Sequence, residues 1–337
     1  MAIIILTLAG LAWYRWRTAG FNWTQFFHTL TNLQYGWLTA AIVLMLLSYV
    51  IRALRWAVML KPLRPHPDLY GLCSATVIGF TAVVLLGRAG ELVRPYLISV
   101  KERVPFSSQM AAWLLERILD SIVVLLIFGF ALAHMPGRQL HLSPGLAWVL
   151  ETGGYLIAAI CTACILFLIL FRYFSTGAQQ RVLAALTFLP PAAYQRIAEA
   201  MAAFAQGMQS TRESGYMVRL LGYTALEWLT IVGAYYALFV AFSATSWFGV
   251  VETLIFVGFA AMGSIVQIPG IGGGVQVATV VVLTEIFGMT LEVASGLAIL
   301  IWLLGFVIIV PFGFLFAFQE GINWRRFRHL ADDVPTG

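Results

Sequence analysis

The feature that most restricts this chain is a pair of apolar runs that stop short at glycine. Residues 70–86 (YGLCSATVIGFTAVVLL) run into GRAGELVRP, and residues 250–268 (VVETLIFVGFAAMGSIVQI) run into PGIGGGVQ. Around them lie fuller runs at 36–58, 108–133, 146–171, 218–242 and 295–318, rich in Leu, Ile, Val, Ala, Phe and Trp. Each of these approaches the ~20 residues that a helix needs to cross a hydrocarbon layer ~30 Å thick. Charged residues make up 10% of the chain and hydrophobic ones 61%, whereas a soluble domain carries about 25% charge. The expectation is an all-α, polytopic integral membrane helical bundle. Backbone broken at membrane depth cannot face lipid, because unpaired N–H and C=O groups are costly there. The two breaks therefore predict re-entrant half-helix pairs that pack inside protein or line a cavity; full crossing of each segment is the alternative.

The short segments share a motif, GFTA at 79–82 and GFAA at 258–261, each followed by a break and a second short helix. This weak repeat divides a single domain (1–337) into repeat one, about 36–133, and repeat two, about 218–318. Interrupted helices in matching positions point to a site near the membrane midplane. If each short segment returns to its own side, most of the 20 basic residues fall inside, Arg52, Arg55, Lys61, Arg64, Lys101 and Arg103 among them. Arg15, Arg17 and Arg138 then fall outside, and Arg88, Arg94 and Arg117 within membrane segments. Positive-inside counting thus predicts an inverted repeat with a cytoplasmic C-terminus. The run at 1–16 reads as a short first span. In the polar segment 176–216, Ile197, Met201, Phe204 and Met208 keep helical spacing, as expected of an amphipathic helix on the inner leaflet or against a partner.

Charge is scarce, so its placement is informative. Arg88, Glu91 and Arg94 surround the glycines Gly87 and Gly90, and LLERILD places Glu116 and Asp120 on one helical face with Arg117 between them. Charges inside a span face the bundle interior and find partners. One reading is a lock in which Glu116 and Asp120 satisfy Arg88 and Arg94. In the other, the guanidinium forks are partly free and aimed at a phosphate, with glycine allowing close backbone approach. Glu227 has no cation within one turn, which leaves protonation or pairing across the bundle. The second break supplies Gln267, Pro269, Gly270, Gly272, Gly273, Gly274 and Gln276. It lacks the lysine and preceding strand of a nucleotide loop. A half-helix starting after Gly274 would direct backbone donors and its positive dipole end at an anion. The histidines are scattered, so no metal site and no cofactor are expected. The basic residues lie between apolar runs, so nucleic acid is not an expected partner.

RALRW (52–56), GRAGELVRPYLI (87–98), ERILD (116–120) and PGIGGGVQ (269–276) occur in an order and spacing that resembles the flippase-like, lysylphosphatidylglycerol synthase transmembrane-region family. The resemblance implies a protein whose relatives move aminoacylated phospholipid across the bilayer or act in polyprenyl-linked, glycolipid or hopanoid pathways. It carries over Arg88, Glu91, Arg94, Glu116, Arg117, Asp120 and the break after Pro269 as site residues. Gln276 stands where many relatives have glutamate. The family's enzymes add a soluble aminoacyl-transferase domain, whereas QEGINWRRFRHLADDVPTG alone follows the last run, so synthase activity is not expected. The functional expectation is binding or translocation of an anionic phospholipid, polyprenyl-linked or hopanoid lipid. The alternatives are an accessory or scaffold subunit, with 176–216 docking a partner enzyme on the cytoplasmic face, and a membrane glycosyltransferase, for which Asp332 and Asp333 are the only adjacent acids. A homo-oligomer is compatible with each.

Overall fold

The computed structural model describes residues 21–31, 33–134, 195, 214–264, 267–268 and 272–321. The expected first span, the run 146–171, Asp332 and Asp333, Pro269, Gly270 and nearly all of the amphipathic segment 176–216 lie outside the described residues. The described residues are helical apart from one minimal strand pair. The helices are α1 (Trp23–Thr31), α2 (Tyr35–Leu60), α3 (Leu69–Leu86), α4 (Val93–Glu102), α5 (Phe106–His134), α6 (Ser214–Ala241) and α7 (Val250–Gly263), followed by α8 (Gly274–Val281), α9 (Leu291–Trp302) and α10 (Val310–Gln319). π-Turns at Val282–Ile286 and Leu303–Val307 extend α8 and join α9 to α10.

Apolar runs set the helices, and one buried stripe sets how each is turned. From Arg55 to Leu60 every residue of α2 is buried, and before that Ala41, Met45, Ser48 and Tyr49 recur at helical spacing while Val43, Leu47 and Val50 face outward. That pattern is an interior face opposite a lipid face. α2 and α6 share the most extensive helix contact, where Ala41, Ala234 and Ala237 are buried and Gly233 meets Leu44. Small side chains let the backbones approach where lipid offers no hydrophobic drive to association.

Among the described residues, four helical stretches have the length and apolarity to cross a membrane: Tyr35–Leu60, Leu69–Glu102, Gly215–Ala241 and Leu291–Gln319. The second is folded on itself. After Leu86 the chain makes a 3-10 turn, Gly87–Leu92, and α4 runs back along α3. Gly87 opens that turn at φ 65°, ψ −142°, a conformation in which a side chain is strained. A Cβ on Gly90 would lie 2.3 Å from the carbonyl carbon of Ala82, and one on Gly79 would lie 2.5 Å from the Cβ of Arg94. At the base of the hairpin the Asp68 amide donates to Glu102 Oε1 (2.9 Å).

The second break builds another reversal. Gln267–Ile268 pairs antiparallel with Gly272–Gly273, a two-residue ladder flanking the expected glycine-rich break, and α8 begins at Gly274. The ladder satisfies backbone groups that a bare glycine loop would leave unpaired. α8 packs back on α7 closely enough that a Cβ on Gly263 would meet that of Ala278 at 2.5 Å. At this hairpin's base the rings of Phe248 and Phe287 stack 4.6 Å apart.

The bases lie at opposite ends of the bundle. Hairpin α3–α4 starts beside the C-terminal end of α2, where Arg64 reaches Glu102 (3.4 Å) and Lys101 pairs with Glu320. Hairpin α7–α8 starts beside the N-terminal end of α2, where Leu33 and Phe242 bridge and Gln34 N–H donates to Ala241. Each hairpin packs on the last helix of the other half: α3 on α10, and α7 on α5. Among the described residues, Lys61, Arg64, Lys101, Arg103 and Arg219 cluster toward the first end, whereas Trp23, Phe27, Tyr35, Trp37 and Trp247 are exposed at the second.

Candidate functional site

The two hairpin tips meet inside the bundle. Arg88, on the turn of the first, donates from Nη2 to the carbonyl of Ser264, just past the end of α7 in the second (3.1 Å), and from Nη1 to Glu91 Oε1 (2.7 Å). Beneath this junction lies a cavity of about 470 Å³, within the range typical of small-molecule sites. Its walls carry Arg52, Arg88, Glu91, Arg94, Arg117 and Asp120, together with Tyr49, Phe80, Trp113, Trp228 and Val275.

The charges form one network across four helices, α2, α4, α5 and α6. Arg55 of α2 has no exposed side-chain surface and holds Asp120 of α5 through two bonds, Nη1–Oδ1 at 2.7 Å and Nη2–Oδ2 at 3.2 Å. The same guanidinium reaches Glu116 at 3.3 Å, Glu227 of α6 at 3.1 Å and the Thr224 hydroxyl at 3.2 Å. Glu116 Oε1 also accepts from Arg94 Nη2 (2.6 Å) and Arg117 Nη2 (2.7 Å). Arg52 lies 3.0 Å from Glu227. Burying this many ions costs several kcal/mol per ion unless each finds partners, so the network fixes geometry more than it adds stability.

Several sequence expectations are corrected here. Arg52 and Arg55, counted as aqueous flanking charges, sit inside α2 with the interior stripe. The cation that Glu227 lacks within one turn of its own helix comes from α2, across the bundle. Arg94 does join Glu116, as the lock reading had it, but Arg88 pairs with Glu91 and the second hairpin instead of with Glu116 or Asp120. The missed residues were legible in part, because Arg52 and Arg55 fall three apart inside an apolar run and so share a face. Glu116 and Glu227 are fully buried beside the cavity wall. Gln276 lies in the first turn of α8, next to the cavity-lining Val275. Gln267 pairs by its backbone with Gly273, and Gly272 pairs with Ile268.

Apolar helical hairpins around a half-open pocket, its largely apolar walls interrupted by several arginines, define a multi-pass α-helical membrane protein. Its family follows from comparison: residues 2–313 match the model of the lysylphosphatidylglycerol synthase TM region, and the chain belongs to that family. The match is to the membrane region of those proteins. No curated protein and no solved structure matches the chain.

Proposed function

We propose that this protein binds the anionic headgroup of a membrane lipid, or of a lipid-linked precursor, in the chamber beneath the two hairpin tips and passes it between leaflets. The observation that carries this reading is the placement of Arg52, Arg94 and Arg117 around a cavity of about 470 Å³ inside an apolar bundle. Neutral lipid tails would gain nothing from guanidinium groups there, whereas a phosphate gains charge-assisted bonds. The two halves form an inverted repeat, a reading supported by hairpins that start at opposite ends and pack reciprocally on α10 and α5. Its outlook is a bacterial inner membrane with the basic end of the bundle and the C-terminus cytoplasmic, in keeping with the positive-inside rule. The activity proposed is translocation.

The test is translocation of fluorescent phosphatidylglycerol in proteoliposomes, read by chemical quenching of the outer leaflet. The wild type is expected to expose the inner-leaflet probe, and Arg94→Ala is expected to abolish this while reconstitution is unchanged. Equal movement by both proteins overturns the reading.

A further inference from the structure

Beyond the ion network, four cavity-side groups form an alternating series that pairing alone does not require. The Arg94 guanidinium carbon lies 4.2 Å from the ring centre of Trp56 and 5.2 Å from that of Phe80, and the Arg52 guanidinium carbon lies 4.7 Å from Phe80. The order is Trp56, Arg94, Phe80, Arg52. Two like charges thus attend one ring, which Tyr49 supports edge-on at 5.1 Å. Arginine stacks well on aromatic faces because its guanidinium is planar and weakly hydrated, and stacking leaves the N–H edges available for bonds in the plane.

Both arginines keep buried donors in reserve. Arg94 has a side chain 5% exposed and its Nη1 is buried without a hydrogen-bond partner, as is Nε of Arg52. Arg52, Phe80 and Arg94 all line the cavity. The two guanidinium carbons are separated by no more than the sum of their distances to Phe80. One phosphate accepting from both sides, through bonds of about 2.8 Å, spans roughly 10 Å between such carbons. Arg88 is a different case, since its contacts join Glu91 and the second hairpin.

We infer that Arg52 and Arg94 form a two-armed phosphate site, and that Phe80 is its positioning residue, holding both guanidinium planes so that their spare N–H groups converge on one phosphate. This rests on the proposed headgroup reading and deepens it by assigning the phosphate contacts to two of its three arginines and their placement to Phe80. Glu227 and Glu116 each hold the Nη2 of one arm.

The experiment is calorimetric titration of the full chain in detergent with three probes: dihexanoyl phosphatidylglycerol, phosphate-free dihexanoyl glycerol and inorganic phosphate. Wild type is expected to bind the phosphatidyl probe and not the phosphate-free one. Arg52→Gln and Arg94→Gln are each expected to weaken that binding about 10-fold to 100-fold, and Phe80→Leu about tenfold, with Phe80→Tyr close to wild type. Graded fluorination of Phe80 weakens the ring's hold on cations without changing its shape, so affinity should fall stepwise while thermal stability stays constant. That readout also serves if Phe80→Leu does not fold. Affinity unmoved by fluorination overturns the role of Phe80, and affinity unmoved by Arg52→Gln overturns the two-armed site. Either result leaves the translocation assay free to stand. Binding of inorganic phosphate in place of the phosphatidyl probe supports the two-armed site and overturns the lipid source. Equal binding of the phosphate-free probe overturns both proposals.

Discussion

Replacing Arg55 with methionine tests the network at its most connected point. The fully buried guanidinium touches Asp120, Glu116 and Glu227 at 2.7, 3.3 and 3.1 Å and bonds the Thr224 hydroxyl. Methionine keeps much of the stem volume and removes the charge. Asp120 then keeps Arg117 at 3.7 Å and the Trp228 indole N–H at 3.4 Å, both longer than the bonds it loses. Removing one partner of a buried ionic network costs about 3–5 kcal/mol. At roughly 2 °C per kcal/mol for a chain of this length, the thermal midpoint should fall by about 6–10 °C. The assay is thermal unfolding in detergent, followed by loss of the monodisperse gel-filtration peak. The double variant Arg55→Met/Asp120→Leu removes one charge of each sign from the same contact, so its midpoint should lie above the sum of the two single losses, with a coupling of about 1–3 kcal/mol. A fall under about 2 °C for Arg55→Met, or strict additivity in the double variant, would refute the argument that these ions depend on each other.

Three further outcomes follow from the geometry. Gly90→Val places side-chain carbon against the Ala82 backbone, where even a Cβ would come within 2.3 Å; overpacking of this kind costs about 1–3 kcal/mol, and an unchanged thermal midpoint would contradict the tip packing. Cysteines at Asp68 and Glu102 should be joined by a short thiol cross-linker, because the hairpin brings these positions together, whereas a straight helix over the 34 residues Leu69–Glu102 would separate its ends by about 51 Å. Lys101→Ala breaks a pair with Glu320 at the end of the bundle in which both side chains are about one-fifth exposed, and should cost less stability than Arg55→Met; a loss as large as that of Arg55→Met would mean that the interior network is not the dominant electrostatic element.

The places where prediction and structure part follow from what a one-dimensional pattern can carry. Composition and run length made the helical membrane architecture legible, since lipid leaves no other way to satisfy a spanning backbone. Gly87 and Gly90 marked a reversal because a side chain is strained at the first and obstructed at the second. The four-residue spacing of Glu116 and Asp120 showed that they share a face. Helical period reports which residues lie together on one helix, but it says nothing about the helix opposite. Arg55 meets Asp120 across 65 positions of sequence and Thr224 across 169, and Arg88 meets Ser264 across 176.

From sequence alone came the solvent, the helices, the two interruptions and the scarcity of charge inside them. Tertiary packing alone decided which charges meet: it brought Arg52 and Arg55 into the interior, gave Glu227 its cations, set Arg88 across the hairpin junction and placed Phe80 beside two guanidinium groups. The reason is energetic. A buried ion must find its partner wherever the fold supplies one, and that partner is chosen by how whole helices pack rather than by the residues beside it in the chain.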